Sequence, residues 1–376
     1  MTSAVKTMPV EGARATAPDP ASRVRALQAR VQEQGWAGVV IMNRTNVRYV
    51  SGFRGTTAWL VITPTQALIL TDGRYWERAE REAPACTLVQ VFGKYDDTLR
   101  EVLQGVEGTL GFEAETVTVA QYRRTLEPLP HVSWQPADEL LINLREVKDA
   151  AELAAIRRAA ECTDEAMQQV PRWLRPGITE QELAWTLEKY LREHGADGLA
   201  FPVMVAFGAN TASPHAEAGN TPLEPEMPVC IDMGARVDGY CADLTRSFWY
   251  GVHPEAEYLR AWRAVREAQI AALTVLSSGC SGRQADAAAR DTLRRYGYGE
   301  AFLHSLGHGV GLEVHERPRL SYQVDHEVPA GSVVTVEPGV YLRGRWGIRL
   351  EELVVVWDNG PEVISRAPHW QVIAPS

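Results

Sequence analysis

The sequence has few cysteines, no long apolar run and a deficit of positive charge. Its five cysteines are scattered and form no Cys-x-x-Cys pair, a pattern typical of reduced thiols in a cytoplasmic protein. No stretch reaches the ~18 apolar residues of a membrane-spanning helix, and residues 1–21 lack the continuous apolar segment of a secretory signal. Lys and Arg number 38 against 48 Asp and Glu, a net charge of −10. This balance disfavours nucleic acid or an anionic membrane as the main partner.

What the chain does contain indicates two domains. Hydrophobic residues make up 45% of its 376 residues, and a domain usually takes about 100–200 residues. Residues 1–21, rich in Ala, Pro and Thr, are predicted to form a flexible tail. Helical and strand patterns then alternate over 22–143, and the apolar runs "AWLVIT" and "ALILTD" predict a hairpin within an α/β domain. A long amphipathic helix is predicted over 144–170 and begins a second domain, 144–376.

The second domain contains two similar stretches. "PGITEQELAWTLEKYLREHG" and "SGCSGRQADAAARDTLRRYG" each place a helical pattern between glycines at the same separation. Amphipathic helices that end in glycine commonly look alike. However, an apolar run and a histidine-bearing segment follow both of these, which favours two related halves facing each other across a site. The sequence therefore predicts an α+β domain with pseudo-twofold halves.

Two acids lie inside apolar segments that read as strands. In "CIDMGARVDGYCADLTRSFW", a hairpin that turns near 237–238 would place Asp232 and Asp243 opposite each other on one face. Two ionised carboxylates so placed repel each other unless a cation lies between them. Both could instead be solvated surface acids, but their apolar neighbours favour a metal site.

Histidines and further acids complete a candidate metal set. His304, His308 and His315 fall within twelve residues and are separated by glycines, and Glu337 and Glu351 border strand patterns. Either glutamate alone could be a surface residue at a strand end. One imidazole with four carboxylates is too acidic for a single structural zinc and suits two divalent ions, with Mn²⁺ favoured over Co²⁺, Zn²⁺ or Fe²⁺. Two such ions ~3.5–4 Å apart activate a hydroxide and stabilise an oxyanion, which is hydrolysis chemistry.

Four segments carry a family resemblance. "DGYCADLTRSF", "GHGVGLEVHE", "VEPGVY" and "GIRLEE" resemble the dinuclear site of the pita-bread metallopeptidases, and "NRTNVRYVSGF" resembles the creatinase/prolidase N-terminal domain. The resemblance covers roughly residues 22–370 and implies an α/β N-terminal domain followed by an α+β pita-bread catalytic domain. It implies an Xaa-Pro dipeptidase (prolidase) or an aminopeptidase P. Methionine aminopeptidase lacks the first domain, and creatinase lacks the metal set.

The resemblance also implies a metal ligand at five positions. Asp232 would chelate one ion, and Asp243 and Glu351 would bridge both ions. His308 and Glu337 would hold the other ion. Glu337 would also move the proton of the attacking water.

Four further residues match family positions around the substrate. His215 and His315 would contact the scissile carbonyl and the tetrahedral intermediate. His304 would line the proline pocket. Arg349 matches the family arginine beside the last metal ligand, and the resemblance implies that it takes part in catalysis and substrate binding.

The leading hypothesis is hydrolysis of the Xaa-Pro bond in dipeptides, and the alternative is an aminopeptidase P that acts on longer peptides. A dipeptidase needs a guanidinium for the product carboxylate, for which Arg54, Arg343 and Arg345 are candidates. A catalytically inactive binding module is disfavoured because all five ligand positions and the accessory histidines are intact. The family resemblance further implies a homodimer in which the N-terminal domain helps to close the neighbour's site.

Overall fold

The N-terminal domain is a mixed six-stranded sheet with helices on its faces, and the computed structural model describes residues 19–375 of the chain. The strands are β1 (Gly38–Ile41), β2 (Trp59–Ile62), β3 (Ala67–Asp72), β4 (Thr87–Val91), β5 (Gly108–Phe112) and β6 (Val132–Pro136). The helices are α1 (Pro20–Glu33), α2 (Arg44–Ser51), α3 (Trp76–Glu82), α4 (Tyr95–Val102), α5 (Val119–Gln121), which continues as a π-helical turn (Tyr122–Leu126), and α6 (Asp138–Glu146). The strand order is β4-β3-β2-β1-β5-β6, with β2 antiparallel to both neighbours. The predicted hairpin is therefore present as β2 and β3.

The second domain is built from four helices and fourteen strands among the described residues. The helices are α7 (Ala150–Trp173), α8 (Glu180–Glu193), α9 (Ala256–Val275) and α10 (Gly282–Arg295). The strands are β7 (Gly198–Leu199), β8 (Met204–Phe207), β9 (Met227–Met233), β10 (Ala235–Val237), β11 (Tyr240–Cys241), β12 (Leu244–Tyr250), β13 (Gly307–Gly309), β14 (Glu316–Leu320), β15 (Val333–Val336), β16 (Gly339–Leu342), β17 (Trp346–Arg349), β18 (Glu352–Trp357), β19 (Gly360–Val363) and β20 (Val372–Ile373). Short 3₁₀ turns lie at Gly208–Ala212 and Gly299–Ala301.

These elements form two similar halves. The sheet β20-β12-β9-β8 shares a core with α7 and α8, and the sheet β14-β13-β15-β18-β19 shares a core with α9 and α10. Helices α8 and α10 each have 14 residues and begin with a capping box, at Thr179 and Ser281 respectively. The side chain of each capping residue satisfies a backbone N–H that the first helical turn leaves free. The predicted pairing of two related halves is confirmed.

The predicted long helix over 144–170 is wrong, because the chain forms two helices there. The Asp149 side chain accepts a hydrogen bond from the Glu152 N–H, and the Glu152 side chain accepts one from the Asp149 N–H. This capping box starts α7 and separates it from α6. The predicted domain boundary at 143/144 falls within α6, and we propose that the domains divide in the connection 147–149 instead. Of the predicted tail, residues 1–18 lie outside the described residues, whereas Pro20 already begins α1.

Two expectations from composition concern the thiols and the membrane. All five cysteines are free, and four of them are buried. Between residues 19 and 375, no helix combines the length and the apolarity that crossing a bilayer requires.

Candidate metal centre

The first two predicted acids lie on an interrupted hairpin formed by β9 to β12. The register pairs Asp232 with Thr245 across β9 and β12, and β10 and β11 turn at Asp238 and Gly239, which both have positive φ (49° and 75°). The turn is centred one residue later than predicted, so Asp243 is level with Gly234 rather than with Asp232. The prediction that the two acids lie directly opposite each other is therefore wrong. They are diagonal neighbours, and both line the same cavity.

All nine predicted site residues line one cavity of about 560 Å³. They are Asp232, Asp243, His308, Glu337, Glu351, His215, His304, His315 and Arg349. The cavity lies where the two halves of the second domain meet. β9 and the chain before β12 supply the first two acids, and the β13, β15 and β17–β18 segments supply the other ligand candidates.

The candidate ligand atoms converge closely. One ligand atom each from Asp243, His308 and Glu351 lies within 4.8 Å of the other two. His308 Nε2 is 3.3 Å from Glu337 Oε1 and 3.6 Å from Asp243 Oδ2. Asp232 Oδ1 is buried and accepts no hydrogen bond from residues 19–375. A buried carboxylate oxygen without a partner is costly, and a cation among these acids would satisfy it.

The positive groups of the protein do not balance the four carboxylates that line the cavity. Burial, together with the charges of Glu351, Asp232 and Glu337, raises the pKa of Asp243 well above its usual range. Burial and the neighbouring acids likewise raise the pKa of Glu351 well above its usual range. Burial also acts to raise the pKa of Glu337, but the hydrogen bond and charge of His308 lower it to about 2. Divalent cations supply the charge that allows all four carboxylates to ionise, so this donor set fits the predicted metals.

Hydroxyl groups orient two of the candidate ligands. Thr245 Oγ1 donates to Glu351 Oε2 at 2.7 Å, and Thr335 Oγ1 donates to Glu337 Oε1 at 3.0 Å. Partners of this kind fix the direction in which a ligand presents its lone pairs. Sequence reasoning missed both threonines, although each is a polar residue in a buried strand, two positions from a predicted ligand.

The Arg349 guanidinium is buried and donates hydrogen bonds to four protein oxygen atoms. Its side chain is 5% exposed and donates to Asp232 Oδ2 at 2.6 Å. It also donates to the Thr245 hydroxyl, the Pro214 carbonyl and the Tyr341 hydroxyl, each at 3.0 Å. The structure therefore supports a role for Arg349 in positioning Asp232 and the segment that precedes His215.

α10 supports the segment that carries His304. Arg290 Nη2 donates to the His304 carbonyl at 2.9 Å, and Asp286 Oδ1 accepts from the Leu306 N–H at 3.1 Å. His304 Nε2 lies 2.9 Å from the Tyr341 hydroxyl, and burial lowers the pKa of His304. A neutral imidazole is thus held at one wall of the cavity.

Two exposed histidines lie at the cavity's open side. The His315 ring packs edge-on against His308, with 4.3 Å between ring centroids. Partial burial and the charge of His308 lower the pKa of His315. His215 follows the 3₁₀ turn Gly208–Ala212 and is exposed.

The three arginines suggested for the product carboxylate do not line this cavity. Arg345 is paired with Glu255 and Glu257, and Arg54 lines a different cavity. Arg319, which the sequence reasoning missed, lies on β14 level with His308 and does line the metal cavity. It is exposed, and no carboxylate of residues 19–375 lies within 4.0 Å of it. The pairing of β13 with β14 places Arg319 there, and its register is not evident from the sequence pattern.

Comparison with known proteins gives consistent matches along the chain. Residues 154–358 match Metallopeptidase family M24, and residues 23–147 match the Creatinase/Prolidase N-terminal domain. The chain is 31% identical to a Xaa-Pro dipeptidase of Pyrococcus furiosus over 92% of its own length and 97% of the relative's. A solved Xaa-Pro dipeptidase from Bacillus anthracis shares 34% identity with a TM-score of 0.90, covering 95% of this chain and all (100%) of that one. A solved X-Pro aminopeptidase from Thermotoga maritima shares 36% identity with a TM-score of 0.84, covering 92% of this chain and 100% of that one.

Proposed function

The chain belongs to metallopeptidase family M24 and carries the creatinase/prolidase N-terminal domain, and from this premise we propose that it hydrolyses the Xaa-Pro bond of dipeptides. It is a metal-dependent peptidase of the prolidase type. One observation carries the proposal for dipeptides. An exposed arginine without an ion-pair partner among the described residues lines the same cavity as all the candidate ligands and the accessory histidines.

The metal centre would use five ligands, Asp232, Asp243, His308, Glu337 and Glu351. Oxygen-rich sites with a single imidazole favour a hard divalent ion, so we propose two Mn²⁺ ions, with Co²⁺, Zn²⁺ or Fe²⁺ as alternatives. Such ions supply Lewis-acid polarisation of the substrate carbonyl and activation of water at neutral pH.

Glu337 is the proposed proton shuttle of the reaction. An ionised Glu337 carboxylate can accept the proton of the attacking water and return it to the leaving proline nitrogen. The Thr335 hydroxyl donates a hydrogen bond to Glu337 Oε1 at 3.0 Å, which limits rotation of the carboxylate during the transfer.

The histidines are proposed to bind the substrate. With its lowered pKa, neutral His315 can donate an N–H to the scissile carbonyl or to the tetrahedral oxygen. We propose the same task for His215, which is exposed and lines the same cavity. An Xaa-Pro bond has no N–H, so the ring must be recognised by shape. His304, fixed by Arg290 and Tyr341, would form one wall of the proline pocket.

Arg319 is proposed to bind the free carboxylate of the dipeptide. A guanidinium binds a carboxylate through two parallel hydrogen bonds, and this one has no competing acid within 4.0 Å among the described residues. We expect Arg319→Met to raise the KM for Ala-Pro at least tenfold and to leave hydrolysis of Ala-Pro amide unchanged, since the amide lacks the carboxylate. An equal effect on both substrates would remove Arg319 from this role.

A substrate series tests the proposed function itself. Ala-Pro, Ala-Pro-Gly and longer Ala-Pro peptides are assayed with Mn²⁺, Co²⁺ and Zn²⁺, before and after chelation. We expect hydrolysis of Ala-Pro that chelation abolishes and Mn²⁺ restores, with little turnover of the longer peptides. Asp243→Asn should abolish this activity because it removes a bridging carboxylate. Full activity of this variant would contradict the site assignment.

The alternative is an aminopeptidase P, and the likeness to the X-Pro aminopeptidase of Thermotoga maritima favours it. The two proposals differ in whether a residue beyond proline is accepted. Comparable turnover of Ala-Pro and of a longer Ala-Pro peptide would establish the alternative.

We also propose a cytoplasmic homodimer. Five free thiols support a reducing compartment, and the dimer is supported by the family resemblance. Subcellular fractionation tests the compartment, and sedimentation velocity at working concentration tests the dimer, which a monomer would refute.

A further inference from the structure

A second cavity, of about 620 Å³, lies between the two domains and shares no lining residue with the metal centre. On one side its walls come from α1, α2 and the segment after α2, and on the other from α7 and the β10–β11 turn. Its charged lining residues are Arg23, Arg48, Arg54, Glu82, Arg158 and Asp238.

Two of these charges are already neutralised by neighbouring side chains. Arg23 lies 2.8 Å from Asp149 and 3.2 Å from Glu152. Glu82 lies 2.8 Å from Arg78. Neither residue therefore adds to the net charge that the cavity presents.

Of the other three arginines, only Arg54 and Arg158 pair with a carboxylate, and both pair with that of Asp238. Arg158 lies 2.5 Å from Asp238 Oδ2, and Arg54 lies 3.6 Å from Asp238 Oδ1. Arg48 donates only to the Asp238 carbonyl, at 2.5 Å, and no carboxylate of residues 19–375 lies within 4.0 Å of it. The cavity thus has a surplus of two positive charges within a chain whose net charge is −10.

Arg48 is the least satisfied of these cations. It is half-buried, and a guanidinium has five donors, of which this one uses a single donor on a neutral acceptor. Burial lowers the pKa of Arg48, and repulsion by Arg54 adds to this effect. A charge removed from water without a partner is costly, so the unused donors favour an anion within the cavity.

We propose that this cavity binds a small oxyanion of the phosphomonoester class, held by Arg48, Arg54 and Arg158. A phosphomonoester carries close to two negative charges at neutral pH, and its three oxygens accept several guanidinium hydrogen bonds. The cavity is larger than one phosphate, and Pro20 and Leu312 offer apolar surface to the organic group. Because Arg48 belongs to α2 and Arg158 to α7, the bound anion links the two domains.

Binding of phenyl phosphate to the metal-loaded full chain tests the proposal. Calorimetry and thermal denaturation are compared with NaCl at equal ionic strength. We expect one site and a higher thermal midpoint. Arg48→Met keeps the aliphatic stem and should weaken binding at least tenfold without changing basal Ala-Pro hydrolysis. Arg158→Met serves as a second variant if the first one folds poorly. Arg263→Met is the matched control, because Arg263 is exposed on α9 and outside the cavity.

A further variant separates this cavity from the metal centre, since phosphates also bind divalent cations. In Asp243→Asn, binding at the metal centre would be lost, whereas binding between the domains should persist. The proposal is overturned by the absence of binding beyond the NaCl effect, by equal affinity in Arg48→Met and wild type, or by loss of binding in Asp243→Asn.

Discussion

At the scale of single residues, one hydroxyl connects two parts of the metal centre. Thr245 Oγ1 donates to Glu351 Oε2 at 2.7 Å and accepts from Arg349 Nε at 3.0 Å. Arg349 in turn holds Asp232 at 2.6 Å. Thr245 therefore orients one proposed ligand directly and a second one through an arginine, although it is not itself a proposed ligand.

Replacing Thr245 by valine should weaken metal binding by about 10–100-fold, the range for residues that orient metal ligands. Valine keeps the volume of threonine but leaves Glu351 Oε2 and Arg349 Nε without their partner. Metal affinity measured by calorimetric titration of the metal-free protein reports the change independently of activity.

Thr245→Ser is the matched control, because serine keeps the hydroxyl and should retain wild-type affinity. Wild-type metal affinity in Thr245→Val would show that Thr245 does not position the ligands.

The proposed ligands could be predicted from sequence, and their supporting residues could not. Acids such as Asp243 stand out because a charge among apolar neighbours needs a reason. Thr245 and Arg319 do not stand out, because threonine is ordinary in a strand and arginine is ordinary at a surface. Their places depend on the registers of the strand pairs β9–β12 and β13–β14, which the sequence pattern does not show. The suggestion of Arg54 for the product carboxylate stays a prediction, although Arg54 lines a different cavity of the same chain.

At the scale of elements, the hairpin β9–β12 places the two aspartates only because its strands approach closely at Gly234. A Cβ built on Gly234 would lie 1.9 Å from the backbone carbonyl oxygen of Ala242, which lies in the facing segment between β11 and β12. Ala242 donates its N–H to Ala235 beside this point. Glycine is therefore required where Asp243 comes level with the other strand.

Gly234→Ala should force these strands apart, since backbone cannot move aside as a flexible side chain can. We expect a loss of about 1–3 kcal/mol of stability, the usual cost of overpacking, and weaker metal binding because Asp232 and Asp243 shift. Denaturant unfolding and metal titration measure the two effects.

Gly93→Ala is the control and should be neutral, because no described atom outside Gly93 and its two chain neighbours lies within 4 Å of its Cβ position. A stable Gly234→Ala variant with wild-type metal affinity would show that the close approach is not needed.

The strands and helices themselves were largely predictable, whereas their junctions were less so. The continuous apolar runs of β2 and β3, joined by a short turn, predict the hairpin that the structure contains. The break between α6 and α7 was missed because amphipathic spacing continues across it, although Asp149 and Glu152 have the spacing of a capping box. The predicted turn at 237–238 lies one residue before the observed one. Asp238 and Gly239 form the turn, and an Asp-Gly pair is itself a signal for a two-residue hairpin turn.

At the scale of the whole molecule, a buried charge cluster ties the N-terminal domain to the catalytic domain. Glu316 of β14 pairs with Arg145 of α6 and lies 3.5 Å from Lys148, which follows α6. The Glu316 and Lys148 side chains are 5% and 1% exposed. Arg145 also donates to Asn46 Oδ1 of α2 at 2.8 Å. Removing this acid would leave Lys148 buried without an acid partner among residues 19–375, whereas Arg145 would keep its ion pair with Glu313.

Glu316→Gln should therefore cost about 3–5 kcal/mol at pH 7, the usual penalty for breaking a buried pair. Burial acts to raise the pKa of Glu316, but the charges of Lys148 and Arg145 lower it below its usual range. A carboxylate with a lowered pKa contributes stability above its unfolded pKa of about 4.3, and this contribution is lost as the pH falls through the folded value. The stability difference between wild type and variant should shrink on acidification below about pH 4.3. Denaturation of the metal-free proteins excludes any contribution from metal release.

Glu139→Gln is the control. It breaks the exposed pair with Arg317 and should cost at most about 1 kcal/mol. A Glu316→Gln penalty that is equal at pH 7 and pH 3 would contradict the electrostatic tie.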